Sequence, residues 1–351
     1  MNREELLRRI EGEDVIEKVW LSGEDLSGID LSGAIFENVK FVGTNLSGAN
    51  LKEAAFLGCD FGNANLGSAA MRHAIFNECE LPAAKLDGAD LAATKFNASN
   101  LEEASLRGAK LVATMFVDGK LDDASFAGAT LDKANILSTS TQRISLEGAV
   151  LERANVLHCD LSKAKLEGAR FHMAVLIGCD LSGQSLAGLD LAKTQFMDAN
   201  LKRADLSKAR CNNCNFKGAN LEEAKLDGAR LEQALFAEAK MVKASLRGAN
   251  LSQAMLVDLD APGADFRDVK AQMSVWQKSR LVGATFQGAE LHYADFSYAD
   301  VSAAAFQGAT LFRARFHRVK EEATTFGPSR AVALGDDVEL AKAEDYKSSH
   351  R

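Results

Sequence analysis

The chain has 351 residues, a formal net charge of −8 at pH 7, 27 glycines and only 3 prolines. The charge is dispersed: residues 1–20 hold six acids against four bases, residues 321–351 seven against four, and the 300 residues between carry only −3. This excludes a basic nucleic-acid footprint and low-complexity disorder, and the absence of a long apolar run argues against a signal peptide or a spanning helix, so the expected location is cytoplasmic.

From the N-terminus, residues 1–18 read as a helical cap. Asn2 is placed to cap a helix over residues 2–11 with Glu5 three positions on, Leu6, Leu7 and Ile10 share one face, and Gly12 ends it. An amphipathic lid is what the open apolar end of a stacked solenoid requires. Val15, Ile16 and Val19 begin the first coil.

From Leu21 to Phe316 a period of five runs through 60 pentapeptides without one inserted or deleted residue. The centre of each is Leu, Phe, Met, Ile or Val in 55 of 60, the exceptions being Thr141, Cys211, Ala261, Ala271 and Trp276; the position two before it is Ala, Cys, Ser, Thr or Gly in 51 of 60. Small inward, outward, centre inward, outward is the alternation of a short strand, and the fifth residue resets the phase through a corner. A second period gives the number of sides. In the series Gly28, Gly48, Ser68, Gly88, Gly108, Gly128, Gly148, Gly168, Gly188, Lys208, Gly228, Gly248, Asp268, Gly288, Gly308, glycine fills 12 of 15 at a spacing of 20. Twenty residues per coil means four sides, and the glycines predict that one corner in four has a backbone geometry other residues resist.

On these residues the chain resembles the pentapeptide-repeat family, whose motif A-(D/N)-L-x-x stands almost verbatim at Ala49-Asn50-Leu51, Ala89-Asp90-Leu91, Ala204-Asp205-Leu206, Ala219-Asn220-Leu221 and Ala249-Asn250-Leu251. The resemblance covers roughly residues 19–320. It implies an all-β fold, a right-handed quadrilateral parallel β-helix of about 15 four-sided coils behind the short capping helix. The family does not specify a function.

Irregular coils are expected at Ile136 to Ile144, Gln184 to Leu189 and Leu259 to Ser279, where the small Ala261 and Ala271 are offset by Leu259 and Trp276. Phe326 is the last plausible centre, and Gly327-Pro328 breaks any strand. Residues 321–351 read as a polar, partly disordered tail with a helical stretch at Val338–Asp345. It lacks the strong apolar stripe that would suit the C-terminal dimerising helix of gyrase-binding relatives.

The residues that invite a chemical reading dissolve into the register. Cys211-Asn-Asn-Cys214 has zinc-like spacing, yet Cys59, Cys79, Cys159, Cys179 and Cys214 all fall on the small inward site and Cys211 on a centre, where a free thiol serves as a small hydrophobe. Cys59/Cys79 and Cys159/Cys179 stack one coil apart, within disulfide reach, and a cytoplasmic setting keeps them reduced. His73, His158, His172, His292 and His317 read as outward and scattered, and His350 lies in the tail, so no base meets a nucleophile. No phosphate loop interrupts the phase. The expectation is a protein without catalytic residues, metal or cofactor.

The four faces differ. Outward charges sum to −3 on the face centred on Leu21 and Phe41, −1 on that of Leu26 and Leu46, +3 on that of Leu31 and Leu51, and −2 on that of Phe36 and Phe56. Large apolar residues fill 4, 0, 6 and 15 of the 45 outward positions of these faces in the same order. The fourth face carries Ile35, Leu57, Ile75, Met115, Val117, Leu137, Leu157, Val175, Ile177, Met197, Leu235, Met255, Val257 and Val275, with Val117, Leu137, Leu157, Ile177 and Met197 at one outward position in successive coils. A contiguous apolar patch marks an interface, so the first reading is a protein-interaction or scaffold rod that self-associates or docks a protein partner through this face, without binding nucleic acid or membrane. Its N-terminal Leu-Leu-Arg-Arg-Ile lid resembles that of pentapeptide-repeat proteins encoded beside type VI secretion systems. The second reading, implied by the gyrase-binding relatives, is a DNA mimic that engages DNA gyrase or topoisomerase. No continuous acidic stripe or projecting loop accompanies it.

Overall fold

A computed structural model describes residues 3–12 and 15–346, and the chain divides into two compact units, residues 1–180 and 181–351. Asn2 and His350 lie outside the described residues.

Unit 1 opens with helix α1 (Arg3–Glu11), whose Glu4 and Glu5 in the first turn and Arg8 and Arg9 in the last complement its dipole. Leu6 is fully buried, Leu7 and Ile10 are half-buried, and Arg3 Nη1 donates to the Ser27 carbonyl at 3.1 Å, which seats the helix on the first coil. The coils follow. Strands β1 (Ile16–Glu17), β2 (Ile35–Glu37), β3 (Ala55–Leu57), β4 (Ile75–Asn77), β5 (Lys95–Asn97), β6 (Met115–Val117), β7 (Asn135–Leu137) and β8 (Asn155–Leu157) form one parallel sheet in chain order. Phe36 pairs with Phe56, Phe56 with Phe76, Phe76 with Phe96 and Phe96 with Phe116, each 20 residues on. The other three faces pair through single residues at the same spacing, as at Trp20–Lys40, Asp25–Asn45 and Asp30–Asn50. Four sides per coil and parallel pairing between coils are thus as the periods of five and twenty require.

The core is a set of columns. Phe36, Phe56, Phe76, Phe96 and Phe116 stack with successive ring centroids 5.1, 4.7, 4.9 and 5.1 Å apart. Phe41 and Phe61 stack beside them at 4.6 Å and meet the first column edge-on. Such offset and edge-to-face contacts add to area burial, and in-register repetition supplies them at each coil from Phe36 to Phe116.

Unit 2 repeats the rule, with single-residue pairs such as Ser185–Asp205, Asp190–Arg210, Gln195–Asn215 and Asn200–Asn220. Its irregular coil packs as the volume argument requires: Ala261 and Ala271 are fully buried beside Trp276, whose ring meets Phe266 and Phe286 edge-on and stacks on Phe296. The indole N–H is satisfied by Ser274 Oγ at 2.7 Å.

Two sequence expectations need correction here. The first concerns the corners. Left-handed backbone is not confined to the glycine-rich corner, because sides of all four faces end on it: Gly48 (φ 65°), Glu53 (φ 60°), Gly58 (φ 59°) and Asn63 (φ 57°) are four successive types of corner. The corner N–H donates to a carbonyl one coil on, as Gly48 to Gly67 and Glu53 to Arg72, both at 2.9 Å. That bond offsets the ~1 kcal/mol that a non-glycine residue loses in this region. Crowding does not explain most of the glycine excess at one corner, since a Cβ at Gly28, Gly48, Gly108, Gly128, Gly148, Gly188 or Gly248 would meet nothing within 4 Å, whereas one at Gly288 would run into the Asp268 carboxylate.

The second concerns residues beyond 320. Pairing continues there, with β9 (Ala305–Phe306) beside β10 (Thr325–Phe326) and Arg315 beside Leu334. The 3₁₀ turn Pro328–Val332 then brings the Arg330 guanidinium 4.8 Å from the Phe316 ring and 5.2 Å from the Phe326 ring. A cation against the buried Phe316 ring and the half-buried Phe326 ring closes the end of the aromatic column. Helix α2 (Val338–Asp345) follows, N-capped by Asp337, with no buried residue of its own. It is held by polar contacts: Glu344 to Tyr298 and to His317 Nε2, Arg318 to Asp345, and the Asp337 N–H to His317 Nδ1 at 3.1 Å. His317, expected outward, is 1% exposed beneath this helix.

Candidate interaction face

The fourth face of unit 1 is built differently from the other three. Elsewhere a tight turn closes each corner, with the small residue's N–H donating to the centre carbonyl, as Ala34 to Leu31 at 3.2 Å. After the Phe-centred side from Phe36 to Val156 that turn is replaced by a wider corner, and three residues of each side pair instead of one. The inward residues at these corners are Val39, Cys59, Cys79, Ser99, Gly119, Thr139 and Cys159, and none is alanine. Their thiols and hydroxyls donate to the centre carbonyl of the preceding coil: Cys59 to Phe36 at 3.5 Å, Cys79 to Phe56 at 3.3 Å, Ser99 to Phe76 at 3.2 Å and Thr139 to Phe116 at 3.3 Å. The cysteines therefore do more than fill space. They supply donors at the corners that flank the candidate face.

All six thiols are free and buried. Burial pushes Cys159 up to about 11 and Cys179 up to about 12. The contact with Cys214, together with complete burial, raises Cys211 well above the ordinary thiol range. The raised values of these three oppose nucleophilic or metal-binding use, whereas the hydrogen bond from Cys79 lowers Cys59; among the described residues no group of three His, Cys, Asp or Glu is arranged to hold a metal ion.

On the outside, Ile35 and Leu57 are exposed (42% and 38%), while Ile75, Met115, Val117, Leu137, Leu157, Val175 and Ile177 are half-buried, each shielded by its stacked neighbours. Val117 pairs with Leu137 and Leu137 with Leu157, so these three are brought into one column on the order of 10 Å tall. Ile35, Leu57 and Ile75 form a separate group nearer α1. Amide ladders lie between and beside them, with Asn97 Nδ2 donating to Asn77 at 2.7 Å and Asn155 Nδ2 to Asn135 at 2.8 Å. In unit 2, Leu235, Met255 and Val275 pair in succession to make a second column, with Met255 exposed (49%) and Val257 and Met197 half-buried. Each unit thus presents its own apolar column on this face.

The polar residues before the centres do work that the sequence pattern alone did not disclose. Asp or Asn at that position accepts the N–H two residues on, as Asp25 from Ser27 at 3.1 Å, Asn65 from Gly67 at 3.1 Å, Asp205 from Ser207 at 2.9 Å and Asn250 from Ser252 at 3.1 Å. This is a side-chain cap on the turn, and it gives the motif's D/N a physical reason. It also holds carboxylates ionised. The Ser27 N–H lowers Asp25, and the Ser32 hydroxyl and N–H lower Asp30. At Asp265 partial burial opposes ionisation, but Arg267 and Arg247 outweigh it and hold the carboxyl at about 2.

Many of these acids also meet a base from an adjacent coil: Lys40–Asp60, Arg72–Asp90, Arg210–Asp190 and Arg280–Asp260 at 3.1, 2.7, 3.1 and 2.6 Å. A surface imitating duplex DNA has to display its negative charge. Here the carboxylates are turned onto backbone N–H groups and neighbouring cations. No helix among the described residues is long and apolar enough to cross a membrane.

Two family models of known proteins match the repeats. The family model described as pentapeptide repeats matches residues 84–118, 144–183, 174–213, 194–233, 214–253, 229–268 and 277–308, and a second, the pentapeptide repeat region, matches residues 17–86. No curated protein matches the chain. Among solved structures, trypsin-treated QnrB1, described as a plasmid-mediated fluoroquinolone resistance protein, is 22% identical with a TM-score of 0.49, over 52% of this chain and 92% of its own. HetL, a pentapeptide repeat protein involved in heterocyst differentiation regulation from Nostoc sp. strain PCC 7120, is 24% identical with a TM-score of 0.25, over 90% and 96% of the two chains.

Proposed function

The chain belongs to the pentapeptide-repeat family, and from that premise we propose that it is a non-catalytic interaction scaffold working through the apolar columns of its Phe-backed face. The observation that carries this reading is the in-register column Val117–Leu137–Leu157, set against a second face with no large apolar residue at any of 45 outward positions. Single exposed apolar residues are ordinary, but a column repeated at one outward position in consecutive coils is a contiguous surface of the kind that marks protein contact. The three-residue strands of this face support the reading too, because they hold the side chains in a flat, fixed array that costs little further ordering on binding. Face-to-face self-association and capture of another protein both fit this surface. A cytoplasmic setting, and service to a secretion system within it, belong to the same proposal.

The test is a pull-down from native cells combined with light scattering, comparing wild type with Leu157→Asp. Leu157 is half-buried and outward, so the variant should fold normally and lose partner capture or self-association. Unchanged mass and unchanged capture would refute the proposal. A gyrase supercoiling assay run alongside separates the DNA-mimic reading: inhibition or protection that weakens steeply with salt would favour that reading, and the neutralised carboxylates predict no effect.

A further inference from the structure

We propose that the corner of unit 2 where the third face turns into the fourth, carrying Met273, Tyr293, Phe312 and Arg313, docks a short acidic and apolar segment of a partner protein. This surface is distinct from the apolar columns, and the inference does not depend on them.

Corner residues sit on left-handed backbone, where bulky side chains are uncommon. Most corners of the chain carry glycine, alanine or a polar residue. Met273 (φ 57°) and Tyr293 (φ 61°) are successive corners of one column, joined through Met273 N–H to the His292 carbonyl and Tyr293 N–H to the Phe312 carbonyl at 2.9 and 3.0 Å. Their side chains are 57% and 50% exposed. Two bulky apolar side chains on left-handed backbone, each about half exposed, therefore stand at adjacent positions.

The surroundings extend the surface. Phe312 is 48% exposed and meets Tyr293 edge-on at 5.7 Å, and the Arg313 guanidinium lies 5.8 Å from the Phe312 ring. Exposed Val332 and Leu334 stack on the same edge, the first accepting the Arg313 N–H and the second pairing with Arg315. Tyr293, Asp295, Arg313, Arg315 and Leu334 line a shallow depression of about 310 Å³. Tyr, Phe, Met and Arg are the residues enriched at the centres of protein interfaces.

Charge selects the occupant. Arg313 forms no ion pair among the described residues, and Arg315 reaches Asp295 only at 3.6 Å. Asp295 is itself committed to the Ser297 N–H and hydroxyl and to Gln277, at 2.9, 2.6 and 2.8 Å. The depression thus offers guanidinium donors to a carboxylate, beside rings and aliphatic carbons for its apolar neighbours. Met273, Tyr293 and Arg313 span three stacked coils, on the order of 10 Å, which is three to four residues of extended chain. Nucleic acid fits less well, because it needs a longer cationic track and would leave Met273 and Leu334 unused.

The experiment presents the full chain to a library of short immobilised peptides and, separately, to labelled single-stranded DNA. The expected result is selection of peptides in which Asp or Glu adjoins an aromatic or aliphatic residue. Affinity should fall about tenfold or more in Arg313→Glu and Tyr293→Ala and be retained in Arg107→Glu, the same charge reversal at an exposed position of the second face of unit 1. Thermal melts of each variant accompany the binding data, and if Tyr293→Ala is unfolded, Met273→Lys at the more exposed corner carries the test in its place. Selection of basic or uncharged peptides, binding unchanged in the folded variants, or capture of single-stranded DNA in place of peptide would each overturn the proposal.

Discussion

Gly119→Ala tests the wide corner of the fourth face by the sign of its effect. Gly119 occupies the small inward site that is alanine in most of the 60 pentapeptides, so the repeat pattern alone predicts a neutral or favourable change, worth up to about 1 kcal/mol from the stiffer unfolded chain. The structure predicts the opposite. A Cβ at Gly119 would stand 2.5 Å from the Ser99 carbonyl oxygen and 3.5 and 3.6 Å from its N and C atoms. That oxygen is fixed by the Lys120 N–H at 3.0 Å, and the Gly119 carbonyl is fixed by the Ser140 N–H at 3.1 Å. Relief therefore requires two coils to part, and overpacking of this kind costs about 1–3 kcal/mol. Urea unfolding with a check that the m-value is unchanged measures it. Gly128→Ala is the matched control: its Cβ meets nothing within 4 Å and its φ is +67°, so it should lose only ~1 kcal/mol from backbone strain. Gly119→Ala as stable as wild type would show that the wide corner is not as described.

Phe96→Ala removes a ring, 1% exposed, that stacks on both Phe76 and Phe116, and should destabilise unit 1 by about 3–5 kcal/mol in the same assay. Arg330→Ala should raise amide exchange around Phe316 and Phe326 and cost roughly 1–2 kcal/mol, from two cation–π contacts and one Glu321 ion pair. Asp265 is depressed in the folded chain, so its contribution is present above the unfolded carboxylate pKa and is lost as pH falls from there through about 2. Wild type should accordingly lose stability across that window more steeply than Asp265→Asn, as followed by thermal melts against pH. Parallel profiles would contradict the assigned pairing.

The fold was legible because each core side chain recurs with a fixed period: five places the centres and twenty places the pairing partners Phe36, Phe56 and Phe76. Corner conformation was not, because glycine content at Gly28 or Gly48 reports tolerance rather than geometry, and the same left-handed φ at Glu53 is held by a hydrogen bond to another coil. The wide corner had a signal that passed unread. Val39, Cys59, Cys79, Ser99, Gly119, Thr139 and Cys159 are an unbroken series without alanine, and their donors serve the carbonyls of the preceding coil. The same cysteines were correctly legible as core, since register alone placed them inward. The burial of His317 had no sequence signal, because the helix covering it docks through Glu344 and Asp345 from outside the repeat. The exposure at Met273 and Tyr293 was masked for a related reason. A count of apolar residues by face gives weight to the fourth face and none to a corner.

The central claim is that the column Val117–Leu137–Leu157 is where this protein meets another. Its most direct measurement is the solution mass and native-cell capture profile of Leu157→Asp beside wild type at matched thermal stability. Loss of the captured partner or of the higher-mass species is the predicted result, and an identical mass and capture profile would contradict it.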